Sequence, residues 1–305
     1  MPVQSDHHAD PWPALSYPDF VGTQYLLHMG LQAVGKLKLA SPFQPQWSGV
    51  PMWISATGLT TGPIDYDGGA YEVHADLIRH ELICVTSRGE SKSFKLASMS
   101  VAECVARLFA LLKSVGVDVS INVIPQEVDH QTPFDQDTQH RPYDPLMANH
   151  WWRILLSTQR VMRHFRGCFQ GKMQPIGLMW GTLDIRDVFY NGKPASPAPD
   201  ADYIRRNAMN AELVEWGWWA GSAAYPKPAF YSFTYPQPTG MEGAKVSPAS
   251  AHWNPTMGEF ILDYDDLRAS KHPDEDLLAF FRSTFDAGAT HAHWDPALVG
   301  SGKPT

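Results

Sequence analysis

Side chains able to do chemistry gather first near the N-terminus. Gln24, His28, Gln32 and Lys36 recur every four residues, which sets them in one row along a helix. Leu26, Leu27, Met29, Leu31, Val34 and Leu37 cover most of the remaining circumference. A helix apolar nearly all round is normally buried, and buried polar groups need partners. Two accounts of the row follow. In one, His28 is a general acid or base, Gln32 orients a substrate and Lys36 pairs with an anionic group. In the other, the same groups hydrogen-bond another part of the protein.

A second group is aromatic and acidic: Trp180, Asp184, Glu212, Trp218, Tyr231 and Tyr235. Convergent carboxylates in an apolar, aromatic pocket are the usual appearance of a small-molecule site. Ordinary core packing with tyrosine hydroxyls near the surface is the plainer account. A third group, Glu72, His74 and Asp76, shares one strand face by period two, with His80 just beyond it. Histidine and carboxylate at that spacing can ligate a metal, although such a face is more often solvated. The sequence commits to no metal, and His74, Asp76 and His80 stand only as candidates. The fourth is His164 with Cys168, a thiolate–imidazolium pair if helical, or simply a small buried thiol.

Familiar motifs mostly fail. His80-Glu81-Leu82-Ile83-Cys84 is one residue short of a zinc-protease pair and sits at a strand turn. Gly300-Ser301-Gly302-Lys303 imitates half a phosphate loop without the strand that should precede it. Asp135 and Asp137 lack the later Gly and Glu of a calcium loop. No dinucleotide fingerprint, Cys-x-x-Cys or nucleophile elbow is present. No nucleotide cofactor is therefore implied, and the identity of any other cofactor stays open.

The elements that must position these groups read as α+β, in two distantly similar halves, each helix–antiparallel strands–helix, packed as one compact unit. Residues 1–16 read as a flexible tail, 17–124 as the first half, 125–145 as a connector, 146–295 as the second half and 296–305 as a tail. The first helix spans about Pro18–Leu39. Strands follow at Met52–Leu59, Tyr71–Ile78, Leu82–Thr86 and Ser93–Leu96, separated by glycine turns. Ser100 and Glu103 form a capping box for the next helix, which stops at Gly116. Val117–Ile124 reads as a closing strand. The second half opens with a helix over Leu146–Gln170. Strands are expected at Pro175–Ile185, Val188–Tyr190, Ala229–Tyr235 and Glu259–Leu262, with a short helix at Ile204–Glu215. The prolines around Phe230–Tyr235 suggest an edge strand. A last helix begins near Pro273, its first turn acidic as the helix dipole favours. Thr23-Gln24, His28 and Gly35-Lys36 recur as Thr158-Gln159, His164 and Gly171-Lys172, which is the residue-level case for an internal duplication.

The 305 residues carry a net charge of −8 and no run of Lys and Arg, so nucleic acid is not an expected partner. Three widely spaced cysteines fit reduced thiols better than a disulfide framework. No apolar segment is long enough for a membrane span and no apolar signal-peptide core opens the chain, which makes the cytoplasm the expected location.

Several stretches together are familiar. Pro11-Trp12-Pro13 leads into Leu27-His28 and Val34-Gly35-Lys36; then come Gly58-Leu59-Thr60-Thr61 with Pro63, Pro133-Phe134-Asp135, and Tyr143-Asp144-Pro145. Trp180-Gly181-Thr182-Leu183-Asp184, Pro228-Ala229-Phe230-Tyr231 with Tyr235-Pro236, and Gly258-Glu259-Phe260 complete the set. The combination resembles a bacterial family known as domain of unknown function 5996, over about residues 11–295. The resemblance implies a full-length family domain and carries no activity with it; it favours His28, His80, Asp184 and Glu212 as positions shared with relatives.

The expectation is an uncharacterised enzyme acting on a small apolar or aromatic organic molecule in a pocket between the halves. His28, Asp184 and Glu212 would do acid–base chemistry, with Gln32, Lys36, Trp180, Trp218, Tyr231 and Tyr235 binding the substrate. The alternatives are a non-catalytic binder of a hydrophobic ligand or haem-like cofactor, and a structural protein with no site. Oligomeric state is not legible.

Overall fold

The structure, a computed structural model, describes residues 10–298. Helix α1 runs Tyr17–Lys36 and passes into a 3-10 turn at Leu37–Ala40. A six-stranded antiparallel sheet follows: β1 (Trp53–Ile54), β2 (Gly58–Thr60), β3 (Ile64–Tyr66), β4 (Gly69–Asp76), β5 (Glu81–Thr86) and β6 (Ser91–Lys95). Helix α2 (Val101–Ser114) starts where the capping signal places it, the Glu103 amide donating to Ser100 Oγ at 3.1 Å. Gly116 then takes a φ of 78°, a left-handed conformation that suits glycine at a helix end.

The second half opens with α3 (Pro145–Phe165) and carries a seven-stranded antiparallel sheet. Its strands are β7 (Lys172–Met173), β8 (Gly177–Met179), β9 (Asp184–Pro194), β10 (Ala211–Trp219), β11 (Ala229–Tyr235), β12 (His252–Asn254) and β13 (Glu259–Asp263). Short α4 (Tyr203–Ala208) precedes β10, and α5 (Tyr264–Arg268) and α6 (Pro273–His291) close the fold. The α+β class and the helix–strands–helix order of each half stand. The marker residues of the proposed duplication do not keep equivalent places. Lys36 ends α1, but α3 stops at Phe165 and Lys172 opens a strand; His164 is exposed.

The two sheets meet at one backbone bridge. Met52 and Leu178 exchange N–H···O bonds of 2.9 and 2.8 Å. Gly177 makes that approach possible, since a Cβ there would lie 2.9 Å from the Met52 carbonyl oxygen. On the second sheet, period two sorts the side chains. Phe189, Trp216, Trp218 and Phe230 point into the core with α3 and α6, Trp216 donating its indole N–H to Thr284 at 2.9 Å. Asp184, Arg186, Glu215 and Tyr231 occupy the opposite face.

Several expectations are corrected. The helix expected over Ile204–Glu215 covers only its first part: α4 ends at Ala208 and β10 begins at Ala211. The Ala, Glu and Leu there favour helix intrinsically, but pairing with β9 and β11 on both sides overrides propensity. Strand β11 is central, between β10 and β13, because Pro228 and Pro236 lie just outside it and remove no ladder donor. Residues 117–124 form no strand. Their backbone is held instead by α1, whose Lys36 Nζ donates to the Ile124 carbonyl at 2.6 Å. Residues 10–16 are not a loose tail: Trp12 and Leu15 are buried, and Trp12 donates to Asp274 at 2.9 Å. Residues 1–9 and 299–305, including Gly300-Ser301-Gly302-Lys303, lie outside the described residues. Among the described residues no helix is long and apolar enough to cross a membrane.

Candidate functional site

A cavity of about 1160 Å³ lies between the halves, a little above the usual size for small-molecule sites. The first half contributes residues 38–64 in part, and the connector contributes Gln126 and Glu127. The second half contributes the outer face of its sheet and the loop bearing α4. The roof is an aromatic clasp. Trp47 packs edge-on to Phe43 (centroids 4.9 Å) and to Tyr203 (5.5 Å), and its indole donates to the Ile204 carbonyl at 2.9 Å. Gln46 ties the same loop down, donating to Asn210 Oδ1 at 2.6 Å, and its carbonyl accepts from Gln174 at 2.6 Å. Lys172 reaches the Gln46 side chain as well.

The floor is charged. Asp184 and Arg186 come from β9, Glu215 from β10, Tyr231 from β11 and Glu259 from β13, with Glu127 arriving from the connector. The Tyr231 hydroxyl is hydrogen-bonded to Asp184 Oδ2 and lies 3.2 Å from Glu215 Oε1. Gly217 opens the space for that ring: a Cβ on it would stand 2.2 Å from Tyr231 Cζ. Arg186 lies 3.4 Å from Glu215 Oε2 and donates to Gln174 Oε1 at 2.8 Å, while its buried Nε has no protein partner. Burial, reinforced by the neighbouring Asp184 and despite Arg186, pushes the Glu215 carboxyl up to about 7. Burial and the negative charges of Glu215 and Asp184 push Glu259 up to about 7. Glu127 is raised chiefly by burial, and the Tyr231 hydroxyl is held well above its ordinary range for the same reason. Lys38 faces the cavity from the other wall. It donates to the Pro51 and Thr61 carbonyls at 2.6 and 2.7 Å and sits 4.3 Å over the Trp53 ring; burial lowers it to about 8.

Four of the residues expected from sequence border this cavity: Asp184, Trp180, Tyr231 and Tyr235. The others do not. His28 and Gln32 lie beneath the Trp180–Gly181 turn, where both reach the Gly181 carbonyl, at 2.9 and 3.2 Å. Gln32 also brackets Gln126, donating to its carbonyl at 2.8 Å and accepting from its amide at 2.9 Å. Burial lowers His28 to about 4, so the neutral ring donates to the carbonyl. Lys36, lowered by burial to about 8, holds Ile124. The row on α1 therefore clamps backbone carbonyls and lies outside the cavity lining. Trp218 is fully buried in the core, because it shares a strand face with Trp216. Glu212 lies outside the cavity lining and accepts from Asn191 at 2.5 Å.

The metal candidates diverge. His74 pairs with Glu72 at 3.3 Å, Asp76 accepts the Ile78 and Arg79 amides in a tight turn, and His80 meets the Tyr143 hydroxyl at 2.8 Å. Among the described residues no group of three or more His, Cys, Asp or Glu could hold a metal ion. Cys168 lies past the end of α3, its Sγ 3.0 Å from the Phe165 carbonyl and its thiol raised by burial, so helical spacing with His164 is lost.

A family model described as a family of unknown function (DUF5996) matches residues 12–301. The chain belongs to this family. No curated protein and no solved structure matches it. The DUF5996 match takes in both sheets and every residue of the cavity floor.

Arg186, Glu215, Glu259, Glu127 and Trp219 all line the cavity and were not expected from sequence. A signal for two of them existed: Leu213, Glu215, Gly217 and Trp219 alternate at period two, with a glycine where a ring must cross. Reading the chain as helix up to Glu215 hid it.

Proposed function

We propose that the chain is an enzyme that binds a small, partly apolar organic molecule in the cavity between its halves and transfers a proton on it. The observation that carries this reading is the Tyr231 hydroxyl set between Asp184 and Glu215. A hydroxyl has one proton to donate. Donated to Asp184, it leaves the tyrosine oxygen as an acceptor toward Glu215, so the protonated form of Glu215 completes the row. A carboxyl raised to about 7 suits that role, because an acid or base works best with its pKa near the working pH.

Glu215 gives its proton to the substrate and becomes a carboxylate, whose charge the Arg186 guanidinium balances from 3.4 Å. In the reverse sense, the Glu215 carboxylate takes a substrate proton. Asp184 and Tyr231 position Glu215. The backbone around the cavity adds support. Gln46, Trp47, Glu127 and Leu183, none of them glycine, have φ values of 54°, 59°, 55° and 60°. Such strained conformations concentrate at functional sites.

The test is turnover of a panel of chromogenic esters, amides and glycosides. For any member that reacts, Glu215→Gln should lower kcat/KM by roughly 10²–10⁴-fold, and the pH–rate profile should bend near 7. Turnover indifferent to Glu215→Gln would sink the assignment. Tight binding across the panel with no turnover would leave a binding protein in place of an enzyme.

A further inference from the structure

The cavity has a pronounced polarity from floor to mouth. At the floor, Glu127, Asp184, Glu215 and Glu259 share the lining with one guanidinium, Arg186, which pairs with Glu215. Asp184 and Glu215 are themselves buried. Among the described residues no hydrogen bond reaches the Glu259 carboxyl, which burial and the charges of Glu215 and Asp184 raise to about 7. The other cations bordering the cavity sit elsewhere: Lys38 is bound to two carbonyls across from the sheet, and Arg205 is exposed on α4. At the mouth the lining changes character. Leu39, Phe43, Tyr203 and Met257 are among the large apolar side chains most exposed in the molecule, and all four border the opening. Apolar groups exposed around one opening mark a binding surface.

We propose that the molecule bound here is an amphipathic organic cation, with an ammonium or related head on the acidic floor and an apolar body running out between Phe43, Tyr203 and Met257. This deepens the proton-transfer reading and rests on the same cavity. An entering cation replaces the repulsion among Glu127, Asp184, Glu215 and Glu259 with attraction. It faces Arg186 of β9 and Tyr231 of β11 on the same floor, and Lys38 and Arg205 on the walls. Part of its binding is therefore coupled to loss of protons from Glu215 and Glu259. Affinity should rise as pH goes from 6 to 8, where an alkylammonium keeps its own charge, as lysine does with a pKa of about 10.4.

The experiment is calorimetric titration of the full chain with n-octylammonium, n-octanol and n-octanoate. Octylammonium should bind at least roughly tenfold more tightly than octanol, octanoate should bind weakest, and the heat should vary with the buffer as protons are released; a cation held by charge and buried carboxylates gives differences of this order. Glu259→Gln should weaken octylammonium by roughly tenfold, since it removes a charge-assisted hydrogen bond. Phe43→Ser, at the half-exposed rim of the clasp, should weaken octylammonium more than ethylammonium. Octanol or octanoate binding as tightly as the amine, or no response to either substitution, would overturn the proposal. An amine that binds and never reacts leaves it standing while removing catalysis; turnover of neutral substrates with no affinity for amines does the reverse.

Discussion

Two buried polar groups in this molecule have opposite outcomes. The row on α1 places His28, Gln32 and Lys36 against the Gly181, Gln126 and Ile124 carbonyls, and every one of those side chains has a backbone partner. The floor of the second sheet places Asp184, Glu215 and Glu259 near one another, with Arg186 as the one nearby counter-charge among the described residues. Both are polar groups in apolar surroundings. The first is satisfied and faces backbone; the second is crowded and faces empty space. Satisfied buried groups hold structure together, whereas groups held at an electrostatic disadvantage beside a cavity are available to a ligand. The clamp nevertheless serves the floor, because Gly181 and Gln126 both border the cavity.

The sharpest way to break this contrast is to exchange the consequences of substitution. Glu215→Gln should cost roughly 10²–10⁴-fold in turnover with a melting temperature near that of wild type. His28→Gln should leave turnover within a few-fold and lower the melting temperature. The opposite pattern, by kinetics and thermal denaturation, would return the chemistry to α1.

Glycine substitutions come next. Gly217→Ala places a methyl 2.2 Å from the Tyr231 ring, and Gly35→Ala places one 2.2 Å from the Trp180 ring. Each should destabilise by about 1–3 kcal/mol or more, as overpacking does, measured by denaturant unfolding. Only Gly217→Ala should also shift the pH dependence of ligand binding, because only Tyr231 touches Asp184 and Glu215.

The pH dependence of stability separates the groups further. Glu215 and Glu259 have folded-state values raised to about 7. Their stabilisation is present below the unfolded carboxyl value of about 4.3 and is lost as pH rises through 7. His28 is lowered to about 4, so its contribution is present above the unfolded value of about 6.5 and is lost as pH falls through 4. Melting curves should therefore weaken toward pH 8 because of the floor and toward pH 4 because of the clamp. Glu215→Gln should flatten only the alkaline limb, and His28→Gln only the acidic one. The narrowest effect, on stability alone, is expected for Lys36→Met. Leaving the Ile124 carbonyl unpaired should cost about 1–3 kcal/mol, with no change in octylammonium affinity.

Much of the fold was legible because local signals and tertiary pairing agreed. Ser100 and Glu103 marked the start of α2, alternation marked β4 and β5, and the acidic first turn marked α6. The row on α1 was legible as polar groups that could not be solvated, and the clamp is one of the two accounts the sequence left open. What failed did so where a long-range partner decided the outcome. Strand β10 carries helix-favouring residues and is a strand because β9 and β11 flank it. Without it, Glu215 could not be placed beside Asp184, and Glu212 stood in its place. Trp218 was taken for a pocket wall because nothing local tells which face of a buried strand meets the core. The extended run at Val117–Val123 had the alternation of a strand, and its backbone found side chains of α1 instead of a neighbouring strand.

The most direct test is the titration of the two groups themselves, by carbon-13 NMR of the glutamate side-chain carboxyls and nitrogen-15 NMR of the histidine rings. Two glutamates should titrate near 7, one lost in Glu215→Gln and the other in Glu259→Gln, while the His28 ring stays neutral down to about pH 5. All glutamates titrating below about 5, within the ordinary range for exposed carboxyls, or His28 titrating near 6.5, would contradict the assignment of the site to the sheet floor.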